Sequence, residues 1–206
     1  MSNDRERNVH NRKPKKIILL AYEGANKTEK NYFDNFMTRE GNFIIKTVPG
    51  NETDPENLVK QTIKKVKDLD LDLESDDKAY CIFDTDTKKR KNSQIDMAIK
   101  LAKSNNIGII TSSPCIELWF LLHFEYTTGY MTSDCAIERL KTHFPKYSKN
   151  CDIFSEIKSK TSLAYDRAKK LEKYQISNGN DIKSVEANPH TEVYKVIDDF
   201  DIRNNF

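Results

Sequence analysis

Three acidic side chains stand where they could do chemistry together. Glu23 closes the apolar run IILLAY, and Asp84 and Asp86 follow the run AYCIF. Open α/β sheets bind ligands outside the carboxyl ends of their strands, so carboxylates at the ends of two buried parallel strands converge on one region. Asp84 and Asp86, two residues apart in extended chain, share one side of the backbone. Gathered carboxylates repel by roughly 4 kcal/mol per close pair at an effective dielectric near 20, a cost that a hard cation removes. Mg²⁺, or Mn²⁺ in its place, takes such oxygen donors, whereas zinc would want His or Cys that these segments do not supply.

Other residues could join this site. Glu117 follows the segment SSPCI, where it reads either as an acid complementing a helix N-terminus or as a further ligand or general base. The run Lys88, Lys89, Arg90 and Lys91 lies just past Asp86. It reads either as an exposed loop or as phosphate-neutralising charge, because nucleic-acid affinity rests chiefly on Lys and Arg contacts to the backbone. Three more residues form a second tier: Glu29, His123 in LLHF and His190 in NPHT. For His123 a core position is the ordinary expectation. For His190 the competing reading is a simple helix start, with Asn188 as cap and Pro189 at the first position.

Positioning these residues requires a particular order of elements. Residues 17–22 are short and aliphatic, the pattern of a strand buried on both faces, and residues 43–48, 79–83 and 107–111 predict three more strands. Between them run helical patterns: 28–39 with Tyr32, Phe33, Phe36 and Met37 on one face, one capped by Asp54 with Pro55 at its first position, and one over 93–104. This β-α-β-α-β-α-β alternation implies a mostly parallel sheet of about four strands flanked by helices. After the apolar segment 116–124 only helical patterns follow, at 133–143, 161–173 and from Asn188 through Phe200, with 177–187 as a polar loop. The organisation expected is a disordered basic arm over 1–15, an α/β core over 16–125 and a helical C-terminal extension over 126–206.

Composition narrows the function classes. With 32% charged and 10% aromatic residues, the 206-residue chain reads as an ordered protein with a solvated surface. Its apolar runs fall far short of the roughly 20 residues of a membrane-spanning helix. The net charge of +2 is small but unevenly spread: the first sixteen residues are basic and residues 68–77 acidic. Cys81, Cys115, Cys135 and Cys151 are widely spaced with no CxxC pair, and no apolar leader is seen, which reads as reduced thiols in a cytoplasm.

The ordered set YEG, TEKNYF, FDTDT, SSPCIELWFLLHF and NPHTEVYK resembles the RloB-like family of bacterial abortive-infection proteins, over residues 17–200. That resemblance implies a Toprim-like, Rossmann-like core carrying a glutamate after the first strand and a D-x-D after the third. It also implies Mg²⁺-dependent phosphodiester chemistry on DNA or RNA, with Glu23, Asp84 and Asp86 in those places. An ATPase of the AAA or ABC-like type would be the expected partner. The loop through Ala25, Asn26 and Lys27 is slightly long for the family pattern, and this leaves Glu29 open as a first-turn acid rather than a ligand. Two other readings compete. FDTDT also fits the D-x-D-x-T pattern of haloacid-dehalogenase phosphatases, with Asp84 as nucleophile, Asp86 as acid and Thr111 or Ser112 as the hydroxyl motif. The third is a non-catalytic regulatory subunit of an ATPase complex.

Overall fold

Continuous apolar runs form the centre of the sheet, and an alternating run forms its edge. The computed structural model describes residues 15–24, 27–38, 41–48, 54–85 and 92–200. The basic arm as far as residue 14, Ala25 and Asn26, Pro49 and Gly50, Asp86, and Lys88, Lys89, Arg90 and Lys91 lie outside the described residues. β1 (Lys16–Tyr22) is buried on both faces from Ile18 onward, as its unbroken aliphatic sequence requires. β2 (Phe43–Val48) lies at the edge, burying Phe43, Ile45 and Val48 while exposing Ile44 and Lys46. β3 (Lys78–Asp84) pairs with β1 on its other side, and β4 (Gly108–Ser113) pairs with β3; all these pairings are parallel.

The sheet has five strands rather than the expected four. β5 (His190–Thr191) pairs antiparallel with the end of β4, setting Ser112 against Thr191 and Ser113 against His190. The expected helix start at Asn188 is therefore corrected. The Asn188 amide bonds both backbone groups of Met131, accepting from its N–H at 3.0 Å and donating to its carbonyl at 2.9 Å. It clamps a neighbouring segment instead of capping a helix.

The helices divide between the two faces of the sheet. α1 (Thr28–Asp34) ends sooner than its apolar pattern suggests, and its Tyr32 and Phe33 pack against Ile18, Leu20 and Tyr22 of β1. α2 (Pro55–Asp68) and α3 (Asn92–Lys103) cover the opposite face, placing Leu58, Val59, Ile95 and Ala98 against Leu19, Ala21 and Cys81. Asp54 caps α2 as expected, its carboxylate accepting from the Asn57 N–H at 3.0 Å. Beyond β4 come α4 (Glu117–Leu122), α5 (Ser133–His143), the short α6 (Phe154–Ile157) with a 3₁₀ turn, α7 (Thr161–Ser177) and α8 (Val193–Asp199). Their buried residues join the α1 face around Trp119, whose indole N–H donates to the Tyr32 hydroxyl at 2.8 Å. Among the described residues no helix is long and apolar enough to cross a membrane.

Candidate functional site at the carboxyl edge of the sheet

The strand order β2-β1-β3-β4 places a topological switch between β1 and β3. The chain leaves β1 through α1 on one face and leaves β3 toward α3 on the other. At such a point the two connections diverge and open a crevice, the general ligand site of open α/β sheets. Glu23 and Asp84 flank it. Glu23 is the first residue beyond β1, its N–H donating to the Ile82 carbonyl of β3 at 3.3 Å, and Asp84 is the last residue of β3. Both are half-buried, and their strands are adjacent, with a backbone spacing of about 4.8 Å. Gly24 then turns the chain with φ +70°, and nothing lies within 4 Å of where a Cβ would stand. Conformation rather than space makes glycine fit there.

Two more carboxylates lie within electrostatic reach of this pair. Glu29, on the first turn of α1, is 8% exposed, and one of its oxygens is buried with no hydrogen-bond partner. Burial above all, then repulsion from Glu117 and Glu23, pushes its carboxyl up to about 7, against the opposing pull of its backbone hydrogen bond and of Lys149. Glu117 opens α4, buried, and accepts a hydrogen bond from the Tyr147 hydroxyl at 2.9 Å. The Cys115 thiol is raised well above the usual range by burial and by the charges of Glu117 and Asp84. Glu117 is thus within electrostatic reach of Glu29 on one side and shares Cys115 with Asp84 on the other. The sequence reading missed Tyr147, which lies in an irregular stretch 30 residues from the glutamate it holds and carries no local signal.

The two candidate histidines take no part in this charged group. Among the described residues, no three His, Cys, Asp or Glu side chains stand together as a ready-made metal-ligand set. His123 is a buried residue behind α4, its Nδ1 at 2.9 Å from the Trp119 carbonyl and its ring edge-on to that indole. Burial holds it neutral, with a pKa lowered to about 4. His190 sits in β5, where neither ring nitrogen finds a partner among the described residues, nor does the Ser113 hydroxyl of the residue paired with it. Burial lowers its pKa to about 4 as well. A recess of about 310 Å³ between the start of α3 and the loop before β5 is lined by Asn92, Asp96, Asp181, Lys183, Ser184 and Glu186. It contains none of the expected site residues.

A buried ion network fixes the β5 edge, and the sequence reading did not foresee it. Glu192 is fully buried and accepts from the Thr111 N–H at 3.1 Å, from the Thr111 hydroxyl at 2.9 Å, from Lys183, and from Lys195 at 2.7 Å. Burial would raise its pKa, but the two lysines overcome that and hold it at about 2. The ammonium of Lys183 is itself pulled below the usual lysine range by burial, despite its carboxylate partner. The three-residue spacing of Glu192 and Lys195 was the one signal available, and it reads equally well as a solvated helix pair.

In comparison with families of known proteins, the model of the family described as RloB-like protein matches residues 18–200. No curated protein and no solved structure matches the chain.

Proposed function

This chain belongs to the RloB-like protein family, and we propose that it is a Mg²⁺-dependent nuclease, with Mn²⁺ as a substitute ion, built on a Toprim-like core. The observation that carries this reading is the pair of carboxylates, Glu23 and Asp84, on either side of the switch between β1 and β3. The carboxylates offer oxygen donors, burial keeps the neighbouring Cys115 thiol protonated, and Glu29 contributes a buried oxygen without a partner, so the residues suit a hard divalent cation in their chemistry. Glu23 and Asp84 would hold it together with Asp86 of the D-x-D. When bound, such an ion polarises a phosphoryl oxygen and lowers the pKa of a bound water.

The protein groups have separable roles. Glu117, which accepts a hydrogen bond from the Tyr147 hydroxyl, would serve as a general base or as an outer partner that orients the ligands. Lys88, Lys89, Arg90 and Lys91 would neutralise the phosphodiester backbone. In this reading the chain would act as an effector in bacterial abortive infection and antiviral defence, beside an AAA or ABC-like ATPase in the cytoplasm. The phosphatase reading loses its hydroxyl group: Thr111 donates to Glu192, and the Ser112 hydroxyl is 2.8 Å from that of Thr191. The test is cleavage of DNA and RNA with Mg²⁺ or Mn²⁺, by the chain alone and with its ATPase partner. Replacing Glu23→Gln and Asp84→Asn should remove divalent-dependent cleavage while circular dichroism stays unchanged. Undiminished cleavage by both variants would refute the assignment.

A further inference from the structure

A second surface, at the far end of α4 from Glu117, combines lysines with the exposed ring of Tyr174 and the half-buried rings of Phe124 and Tyr126. On α7 the residues Leu163, Arg167, Lys170 and Tyr174 follow the i, i+4, i+7, i+11 spacing that lines one stripe of a helix. The stripe runs about 16 Å along the axis. Leu163 is 45% and Tyr174 39% exposed. The segment leaving α4 lies beside this stripe. Arg167 donates to the Leu122 carbonyl at 2.8 Å, Lys170 stands 4.5 Å over the Tyr126 ring, and Tyr126 and Tyr174 are close enough to interact. Lys160, just before α7, stands 4.6 Å over Phe124, whose ring stacks on His143 at 5.1 Å.

The charge of this surface is mainly positive. Glu125 is held by Arg139 at 2.8 Å and faces His143 at 3.6 Å, and Glu172 bonds Tyr194 and Lys195. Asp166 is the exposed exception, one turn before Lys170 on the same helix. That leaves the ammonium groups of Lys160 and Lys170 above ring faces, a pattern in which each cation and each ring can serve a ligand that carries both negative charge and flat π surface. Single-stranded nucleic acid has that combination: phosphates for the basic groups and bases for the rings. A duplex hides its base faces and offers only the phosphates.

We propose that this surface binds single-stranded nucleic acid, with phosphates on Lys160, Arg167 and Lys170 and bases stacked on Tyr126 and Tyr174. The inference takes from the proposed function only that the ligand is a polynucleotide, and it does not use the carboxylate crevice. It is tested by fluorescence anisotropy of the full chain in chelator, titrated into labelled oligo-dT, oligo-rU and a duplex of equal length. The expected result is binding of at least one single strand in preference to the duplex. The paired substitution Lys160→Glu with Lys170→Glu should weaken it about tenfold or more and reduce the slope of log affinity against log salt by about 1.4, two phosphate contacts at ~0.7 each. Tyr126→Leu, which keeps an apolar side chain, should cost about tenfold through lost stacking. Lys103→Glu on α3, across the sheet, should change neither affinity nor slope appreciably. Equal or tighter binding of the duplex, no binding of either strand, or a charge-reversed variant with wild-type affinity and salt slope would each overturn the proposal. Because chelator removes metal-dependent cleavage from the measurement, failure here leaves the nuclease reading standing, and failure of cleavage leaves this one standing.

Discussion

Glu29 and Glu192 are both buried glutamates, and their environments drive them in opposite directions. Glu29 lies at a crevice with Glu117 and Glu23 as charged neighbours, and its carboxyl rises to about 7. Glu192 lies at the β5 edge between two lysines, and its carboxyl falls to about 2. Burial opposes ionisation in both cases; the partners decide the outcome. The β5 edge is an ion network completed within the chain, whereas the crevice gathers negative charge at the point where an α/β sheet binds ligands. A buried carboxylate perturbed in that way marks a candidate site, since perturbed carboxylates cluster where function requires them.

The largest expected effect comes from breaking the completed network. Glu192→Gln removes the fully buried charge of the network and leaves Lys183, whose side chain is 24% exposed, without its carboxylate partner. Losses of about 3–5 kcal/mol are typical for such a change. Urea unfolding at pH 7 should show that loss with little change in slope, and adding Lys183→Met should recover part of it, because the other lysine, Lys195, still has Glu172 at 3.4 Å. A loss below about 1 kcal/mol, within the range of ordinary substitutions, would mean that the network is not the clamp described here.

The contrast between the two regions also explains what could be read in advance. The first four strands and the capped α2 were legible because each is specified locally, by an apolar run or by Asp54 followed by Pro55. Glu23 and Asp84 were legible for the same reason: each ends such a run. β5 was not, since two residues carry no periodicity and His190 becomes a strand residue only through pairing with Ser113, 77 positions earlier. The four-residue α6 escaped for similar reasons. Lys183 sits in a polar stretch that reads as a solvated loop, and nothing local says that its ammonium turns inward to Glu192. Charges paired over long sequence distances are settled by tertiary packing, which the local pattern does not encode.

The next effect concerns the crevice. Glu29 has a folded pKa near 7 against an ordinary value of 4.5. The native state therefore holds its proton more tightly than the unfolded chain, and its stability is intact below about pH 4.5 and falls as pH rises toward 7. Glu29→Gln removes that loss. In chelator the variant should gain on the order of 2 kcal/mol over the parent at pH 8, the gain shrinking toward zero near pH 4.5. Thermal or urea unfolding across this range checks it, and a variant less stable than the parent at pH 8 would contradict the crowding of carboxylates at the crevice. The opposite sign belongs to His190, whose pKa of about 4 lies below the ordinary 6.5. Its contribution is present above 6.5 and lost as pH falls through 4. His190→Asn should therefore shrink the stability difference between pH 7 and pH 5 by on the order of 1 kcal/mol, with His123 leaving a similar acid loss in place.

The smallest effect tests whether burial, rather than the pairing of opposite charges, separates Glu192 from an ordinary ion pair. Glu56 and Lys60 on α2 meet at 2.7 Å, the same separation as Glu192 and Lys195, but with side chains 32% and 58% exposed. Water already solvates both of these charges, so little desolvation is at stake and removing one partner strands nothing in a low-dielectric interior. Lys60→Ala should change unfolding free energy by less than about 0.5 kcal/mol, and that residue should fade with added salt. The Glu192 loss should persist at the same salt, because buried pairs are screened far less. A salt series on the two variants separates the contributions: if Lys60→Ala cost as much as Glu192→Gln, proximity alone would set the energy, and the contrast drawn between the crevice and the β5 edge would lose its physical basis.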